Sequence, residues 1–354
     1  MTGRVQIVEP FSTGSHKYWA ERIQEHSSWE IDLNTLPGRH WKWRMSSGCI
    51  DLAKSAGTMP EPDIFLCSDM LDLAAFKGLL PTNLSQKRFV LYMHENQLVY
   101  PQLNPNEFDR QYAFINFRSA LAADELWFNS AFHLEAFIGA LPDFLKAFPD
   151  KRNTDRLDDL RDKPKVIPLG IDEMDTSDRT VNDVPHILWN HRWEHDKDPD
   201  GFFDLLYRLS ANDLDFRLIV LGESYGIIPD CFVEVKERLA DKIVHWGFAP
   251  RDSYERWLLT ADILPVTSQQ EYFGLSVMEA VHAGVTPILP RRLVYPELYK
   301  AKDVVFFSDE DELFSRCAEL INAHPHRTQF DMSEYAWGNV IQSYDRAFSK
   351  ICHG

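Results

Sequence analysis

The sequence predicts an α/β protein of two domains, each built on a parallel sheet with helices on both faces. Three observations carry this. The 354 residues are enough for about two domains of ordinary size. Short β-branched or apolar runs alternate with longer helical periods, and this alternation pauses at a polar stretch and then restarts. The composition, 44% apolar and 26% charged with 20 Pro and 16 Gly, excludes a disordered chain, a collagen-like repeat and a coiled coil.

Taken in order, a strand is expected at residues 4–8 and a helix at about 17–26. Further strands are expected at 63–67, 88–93, 125–129 and 165–167. After Pro168-Leu169-Gly170-Ile171-Asp172 a polar stretch reaches Asp183, and strands resume at 186–190, 216–221, 242–245, 263–266, 286–289 and 304–307. This places an N-terminal domain at 1–172 and a C-terminal domain at 184–331. Residues 332–354 carry Trp337, Ile341, Tyr344 and Phe348 at the spacing of one helix face. They read as a closing helix that packs back on the N-terminal domain. The stretch 142–163 interleaves Lys151, Arg152, Arg156, Arg161 and Lys163 with Asp150, Asp155, Asp158, Asp159 and Asp162, and reads as a solvated helix-loop face.

The five cysteines (Cys49, Cys67, Cys231, Cys317, Cys352) are scattered, with no CxxC pair, and read as reduced, mostly buried thiols of a cytoplasmic protein. No run of 18 apolar residues exists, and the N-terminus offers no long apolar segment with a cleavage site, so neither a membrane span nor export is expected. The net charge of −17 weighs against a nucleic-acid partner. Its distribution softens that reading: residues 1–172 hold 19 basic and 23 acidic side chains, the remainder 18 and 31. The acidity belongs mainly to the second domain, and the nearly neutral first domain can offer a basic face to RNA. Most of the 10 Trp, 12 Tyr and 23 Phe read as core.

Chemistry gathers after two predicted strands of the second half. Arg192 and Lys197 follow the strand at 186–190, where α/β folds bind phosphate groups. Two fixed cations there can stabilise a departing diphosphate without a metal; taken alone, they also read as surface ion pairs with Glu194 or Asp196. After the strand at 263–266 comes EYFGLSVME, with Glu271 and Glu279 bracketing seven residues. The loop from Tyr272 to Leu275 offers backbone amides at a helix N-terminus, with the helix expected to start at Glu279. An ionised Glu279 can accept hydrogen bonds from both hydroxyls of a ribose.

These elements, with PLGID at the crossover, resemble the retaining GT-B glycosyltransferases. Rarer strings narrow the resemblance: GSHK at 14–17, WKWR at 41–44, HENQLVYP at 94–101, FNS at 128–130, HRWEHDKDP at 191–199, HWG at 245–247 and LVYPE at 293–297. Together they are similar to the tRNA-queuosine α-mannosyltransferase family along both halves. The resemblance implies two Rossmann-like domains facing across a cleft, and transfer of mannose from GDP-mannose to queuosine in a tRNA anticodon, with no metal and no other cofactor. It places Gly14 and Ser15 on a loop near the donor phosphate, although this chain has one Gly there rather than a glycine pair. It sets His94 against the donor sugar, Arg192 and Lys197 on the diphosphate, Glu271 near the hexose and Glu279 on the ribose. Phe273, Gly274 and Leu275 supply backbone amides to the donor. Leu221, Gly222, Glu223, Gly247 and Phe248 are expected around the nucleobase.

Other residues keep plainer readings. His16, His40, His191 and His195 read as hydrogen-bonded structural histidines. Trp41 and Trp43 read either as core or, with Arg39, Lys42 and Arg44, as an aromatic-basic cluster for single-stranded RNA; Asn96 and Gln97 are placed with it on the acceptor side. Asp196-Lys197-Asp198 and Asp309-Glu310-Asp311 look like metal-binding Asp-x-Asp, but the first overlaps the cations and the second lies in a late polar turn. Alternatives remain: a GT-B enzyme with another sugar nucleotide and a lipid or small-molecule acceptor, or a non-catalytic scaffold that binds RNA or protein. A dehydrogenase is disfavoured because Gly14 stands outside any G-x-G-x-x-G.

Overall fold

The structure, a computed structural model, describes residues 3–101, 109–222, 228–300, 304–325 and 329–353. It divides into two compact units, Met1–Gly170 with Tyr335–Gly354, and Ile171–Glu334.

The first unit runs β1 (Arg4–Ser12), α1 (Gly14–His26), β2 (Glu30–Pro37), α2 (Trp41–Ala56), β3 (Ile64–Ser68), α3 (Leu73–Leu79), α4 (Thr82–Ser85), β4 (Arg88–Met93), α5 (Arg110–Ala122), β5 (Glu125–Phe128), α6 (Ala131–Lys146) and β6 (Pro164–Val166). Its six strands are all parallel in the order β2-β1-β3-β4-β5-β6. β3 is buried throughout and β4 after Arg88, the continuous apolar pattern of a sheet covered on both faces. Sequence reading missed β2. It is an edge strand, and besides Ile31 its buried residue is polar Asn34, whose Nδ2 donates to Gln6 Oε1 (3.1 Å) and Leu52 O (3.0 Å).

The second unit runs β7 (His186–Trp189), α7 (Pro199–Ala211), β8 (Arg217–Leu221), α8 (Asp230–Arg238), β9 (Ile243–Gly247), α9 (Arg251–Thr260), β10 (Ile263–Pro265), α10 (Leu275–His282), β11 (Thr286–Pro290), α11 (Tyr295–Leu298), β12 (Val305–Phe307) and α12 (Glu310–Asn322). Its parallel order, β12-β11-β10-β7-β8-β9, is the Rossmann order, with the chain reversing direction between β7 and β10.

The final helix, α13 (Trp337–His353), belongs to the first unit. Trp337, Ile341, Tyr344 and Phe348 are all buried. Tyr344 OH accepts from Trp19 Nε1 (3.1 Å) and donates to Pro168 O (3.2 Å), Trp337 Nε1 donates to Tyr18 OH (3.0 Å), and Phe348 packs on Trp127.

The stretch that begins at Pro142 is partly helix, because Pro142 lies inside α6. Its charges pair locally. Arg156 meets Asp159 at 2.5 Å and Arg161 meets Asp158 at 2.8 Å. Lys163 Nζ caps α5 by donating to the carbonyls of Ala120, Leu121 and Ala123. No disulfide links the five cysteines, and no helix among the described residues is long and apolar enough to cross a membrane.

Candidate active site

An α/β sheet takes ligands outside the carboxyl ends of its strands, at the point where strand order reverses. In the second unit this point lies between β7 and β10, and both chemistry-bearing segments follow those two strands. After β7, a 3₁₀ turn over His195–Lys197 ends at Asp198, which sits in the left-handed region (φ 53°) and caps α7 by accepting from the Gly201 amide at 3.2 Å. That turn buries Lys197. Its three N–H donors face three acceptors: Gln270 O at 3.0 Å, Asp196 Oδ2 at 3.1 Å and Glu271 Oε2 at 3.2 Å. Burial works against its charge, but Glu271 and Asp196 outweigh burial and hold the Lys197 ammonium above its ordinary pKa. Arg192 is more open, 3.3 Å from Glu194 and 3.9 Å from Asp196. Both cations thus form the ion pairs that the sequence allowed, and they form them around one buried carboxylate, Asp196.

Glu271 is held at both oxygens. Oε2 faces Lys197, and Oε1 accepts from the backbone amides of Tyr272 (3.2 Å), Phe273 (3.4 Å) and Gly274 (2.9 Å). The amides of Phe273 and Gly274, expected to face a ligand, donate instead to the chain's own carboxylate. Gly274 makes this turn possible. It sits at φ 76°, in the left-handed region, as the N-cap of α10, where a side chain is strained. Burial opposes ionisation of Glu271, but Lys197 and then His191 bring its pKa below the ordinary value.

The helix starts at Leu275, not at Glu279. Glu279 therefore lies one turn in, 7% exposed. Its Oε1 accepts from Arg251 Nη1 at 2.6 Å and its Oε2 from Tyr254 OH at 2.8 Å, both on α9. Arg251 also reaches Glu255 at 2.6 Å and Asp172 at 3.8 Å. Sequence reading missed Arg251 and Tyr254. Of the residues expected around a nucleobase, Leu221 is buried, Phe248 is 64% exposed and Gly247 has φ 110°. A Cβ on Gly222 (φ 95°) would stand 2.3 Å from His191 O, so only glycine lets β8 end against the segment after β7. Glu223 lies outside the described residues.

The first unit's candidates also share one sheet edge. Gly14 (φ 49°) and Ser15 open α1 just after β1 and are exposed. His94 follows β4 and is buried against His16, Trp19 and Tyr92. Its backbone amide donates to Asp69 Oδ1 at 2.8 Å and its carbonyl accepts from Asn129 Nδ2 at 3.0 Å. Its Nε2 is enclosed with no hydrogen-bond partner. Burial, then the neighbouring His16, push the His94 pKa well below its ordinary value, so its ring is neutral. His16 is the opposite case: burial works against its charge, but Glu9 Oε2 lies 2.8 Å from its Nδ1, and the pKa rises to about 9. Asp69 is raised to about 7, chiefly by burial. Asn96 and Gln97 are fixed by backbone contacts, Asn96 Oδ1 with the Leu98 amide at 3.2 Å and the Gln97 amide with Asn116 Oδ1 at 2.9 Å. Arg39, Trp41, Lys42, Trp43 and Arg44 form the turn after β2 and the start of α2.

Glu9, His16 and His94 are the one group of three among the described residues whose donor atoms, within 4.8 Å of one another, suit a metal ion. Here Glu9 and His16 form an ion pair. Neither Asp-x-Asp string forms such a group among the described residues.

Two family models match the chain in succession: the tRNA-queuosine alpha-mannosyltransferase N-terminal model over residues 4–171 and the glycosyl transferases group 1 model over residues 171–337. A Drosophila melanogaster protein named tRNA-queuosine alpha-mannosyltransferase is 33% identical over 98% of this chain and 96% of its own length. The chain belongs to the tRNA-queuosine alpha-mannosyltransferase family. It is a glycosyltransferase, and its fold is GT-B. Sucrose-phosphate synthase from Thermosynechococcus elongatus superposes with a TM-score of 0.67 at 13% identity, covering 99% of this chain and 96% of that one. A glycosyltransferase from Rickettsia africae superposes with a TM-score of 0.69 at 15% identity, covering 100% and 99%. Within the family, the switch-point segments of the second unit fall inside the glycosyl transferases group 1 match, and the Glu9–His16–His94 cluster falls inside the N-terminal match.

Proposed function

We propose that this protein transfers mannose from GDP-mannose to queuosine in the anticodon of a tRNA, with retention of anomeric configuration and without a metal ion. The observation that carries this reading is the likeness, along nearly the whole of both chains, to a relative whose name states mannosyl transfer to tRNA queuosine. The geometry supplies a consistent mechanism. As the C1–O bond to diphosphate breaks, negative charge grows on the leaving group, and Arg192 and Lys197 stabilise it. Fixed cations take the part that a metal plays in other transferases, so EDTA leaves the rate unchanged. Glu279 holds the ribose hydroxyls. Glu271, tied down by three amides and Lys197, orients the hexose, and His94, its ring neutral, supports the donor sugar. Gly14 and Ser15 bring backbone close to the phosphate. The acceptor oxygen forms its bond to C1 on the face the diphosphate leaves, and its proton passes to the departing diphosphate; no carboxylate pair acts in the glycosidase manner. Five unpaired thiols suit the cytoplasm.

Calorimetric titration with GDP-mannose, GDP-glucose and UDP-sugars tests the donor assignment. GDP-mannose is expected to bind most tightly. Tighter binding of a UDP-sugar overturns the donor, and no sugar-nucleotide binding revives the non-catalytic scaffold.

A further inference from the structure

The turn after β2 is unusual for so acidic a chain. Between Asp32 and Asp51 there is no acidic residue, while Arg39, His40, Lys42 and Arg44 all occur. His40 takes a left-handed conformation (φ 53°), and α2 begins at Trp41 with no side-chain cap and no acid in its first turn. Its amides therefore present the positive end of a 16-residue helix beside three cations. On one side of that turn Trp41 meets Tyr112 of α5, ring centroids 5.2 Å apart, and Lys42 Nζ stands 5.6 Å from one ring and 5.9 Å from the other. On the other side Trp43, 200° further round the helix, is 65% exposed. A core role does not account for an indole left in water. Arg39 and Arg110, the latter at the start of α5, are exposed as well. Arg44 carries an enclosed Nε with no partner.

We propose that this surface, Trp43 and the Trp41–Tyr112 pair with Arg39, Lys42 and Arg110 around them, is where unpaired nucleotides of the RNA acceptor lie. This rests on the reading that the acceptor is a tRNA, and adds the seat. Single-stranded RNA is held by stacking bases on aromatic faces while cations track the backbone. The patch has both parts, at the same carboxyl edge of the sheet as Gly14 and His94. An exposed indole alone would equally suit a protein partner. Arg39, Lys42 and the bare N-terminus of α2, in a stretch without an acid, favour a polyanion, with Asp109 beside Arg110 on the α5 side of the patch.

The test uses the full chain and a fluorescent anticodon stem-loop carrying queuosine, with affinity read by anisotropy across a salt series. Trp43→Ala is expected to weaken binding about tenfold, the loss of one stacked base. The double variant Arg39→Ala, Lys42→Ala is expected to flatten the dependence of log affinity on log salt by roughly 1.4, about 0.7 for each lost phosphate contact on a single strand. Sugar-nucleotide affinity is expected to stay at the wild-type value in both, which also reports on folding. Stem-loop binding equal to wild type in both variants overturns the seat while leaving the tRNA reading intact. A wild-type protein that binds no stem-loop instead overturns the tRNA reading itself. A changed oligomeric mass in Trp43→Ala with RNA affinity unaltered assigns the patch to a protein contact and also overturns the proposal.

Discussion

Arg251, open to solvent on α9, and the buried Glu279 of α10 form an ion pair, Nη1 to Oε1 at 2.6 Å. Burial raises the Glu279 pKa above the ordinary carboxylate range, and Arg251 is the strongest influence opposing it. Without Arg251 the carboxylate protonates at a higher pH and ceases to accept both ribose hydroxyls. Donor affinity is therefore expected to fall off at a higher pH in Arg251→Met than in the wild type as pH is lowered. Arg251→Lys restores most of the loss. Titration of donor binding against pH decides this; coincident profiles for wild type and Arg251→Met refute it.

Arg192 and Lys197 carry the same charge but are not equivalent. Arg192→Ala is expected to lower kcat by on the order of 10²-fold or more with little change in melting temperature, because a half-exposed cation is lost mainly to the transition state. Lys197→Ala is expected to lower both, since Glu271 loses its cation and buried Asp196 keeps only the more distant Arg192, at a cost of about 3–5 kcal/mol. Single-turnover rates and melting curves on the same preparations separate the two effects.

Glu9 and His16 make the first unit sensitive to alkaline pH. The His16 pKa rises from an ordinary 6.5 to about 9 on folding. Its contribution to stability is fully present below about pH 6.5 and is lost as pH rises through about 9, amounting to at most about 3 kcal/mol. Chemical denaturation is expected to show wild-type stability falling between pH 7 and pH 10. Glu9→Gln is expected to start lower and fall less; equal slopes would remove the pair from the account.

Tyr344 ties α13 to the first unit through Trp19 and Pro168. Tyr344→Ala empties a fully buried aromatic site and is expected to cost roughly 3–5 kcal/mol, read as a lowered midpoint in urea.

Much of this architecture is legible in the sequence because parallel sheets are buried on both faces and their strands are apolar runs. The strands that carry the cations and the two glutamates stand out in this way. Three things do not. β2 is an edge strand with a buried Asn34 and lacks that signature. Arg251 and Tyr254 lie 28 and 25 residues before their partner Glu279, on a helix whose spacing alone marks them as ordinary surface residues. Glu9 sits in the extension of β1 beyond its apolar run, and only the fold brings it to His16. The amide loop shows a different limit: the sequence identifies donors at a helix start, but not that Glu271, three residues earlier, already occupies them.

The most direct test of the central claim is nucleoside mass spectrometry of tRNA incubated with the protein and GDP-mannose. One added hexose is expected on queuosine, none on unmodified tRNA, and near-complete loss of the product with Arg192→Ala. A hexose on unmodified tRNA, or none on queuosine-containing tRNA while GDP-mannose binds, would contradict it.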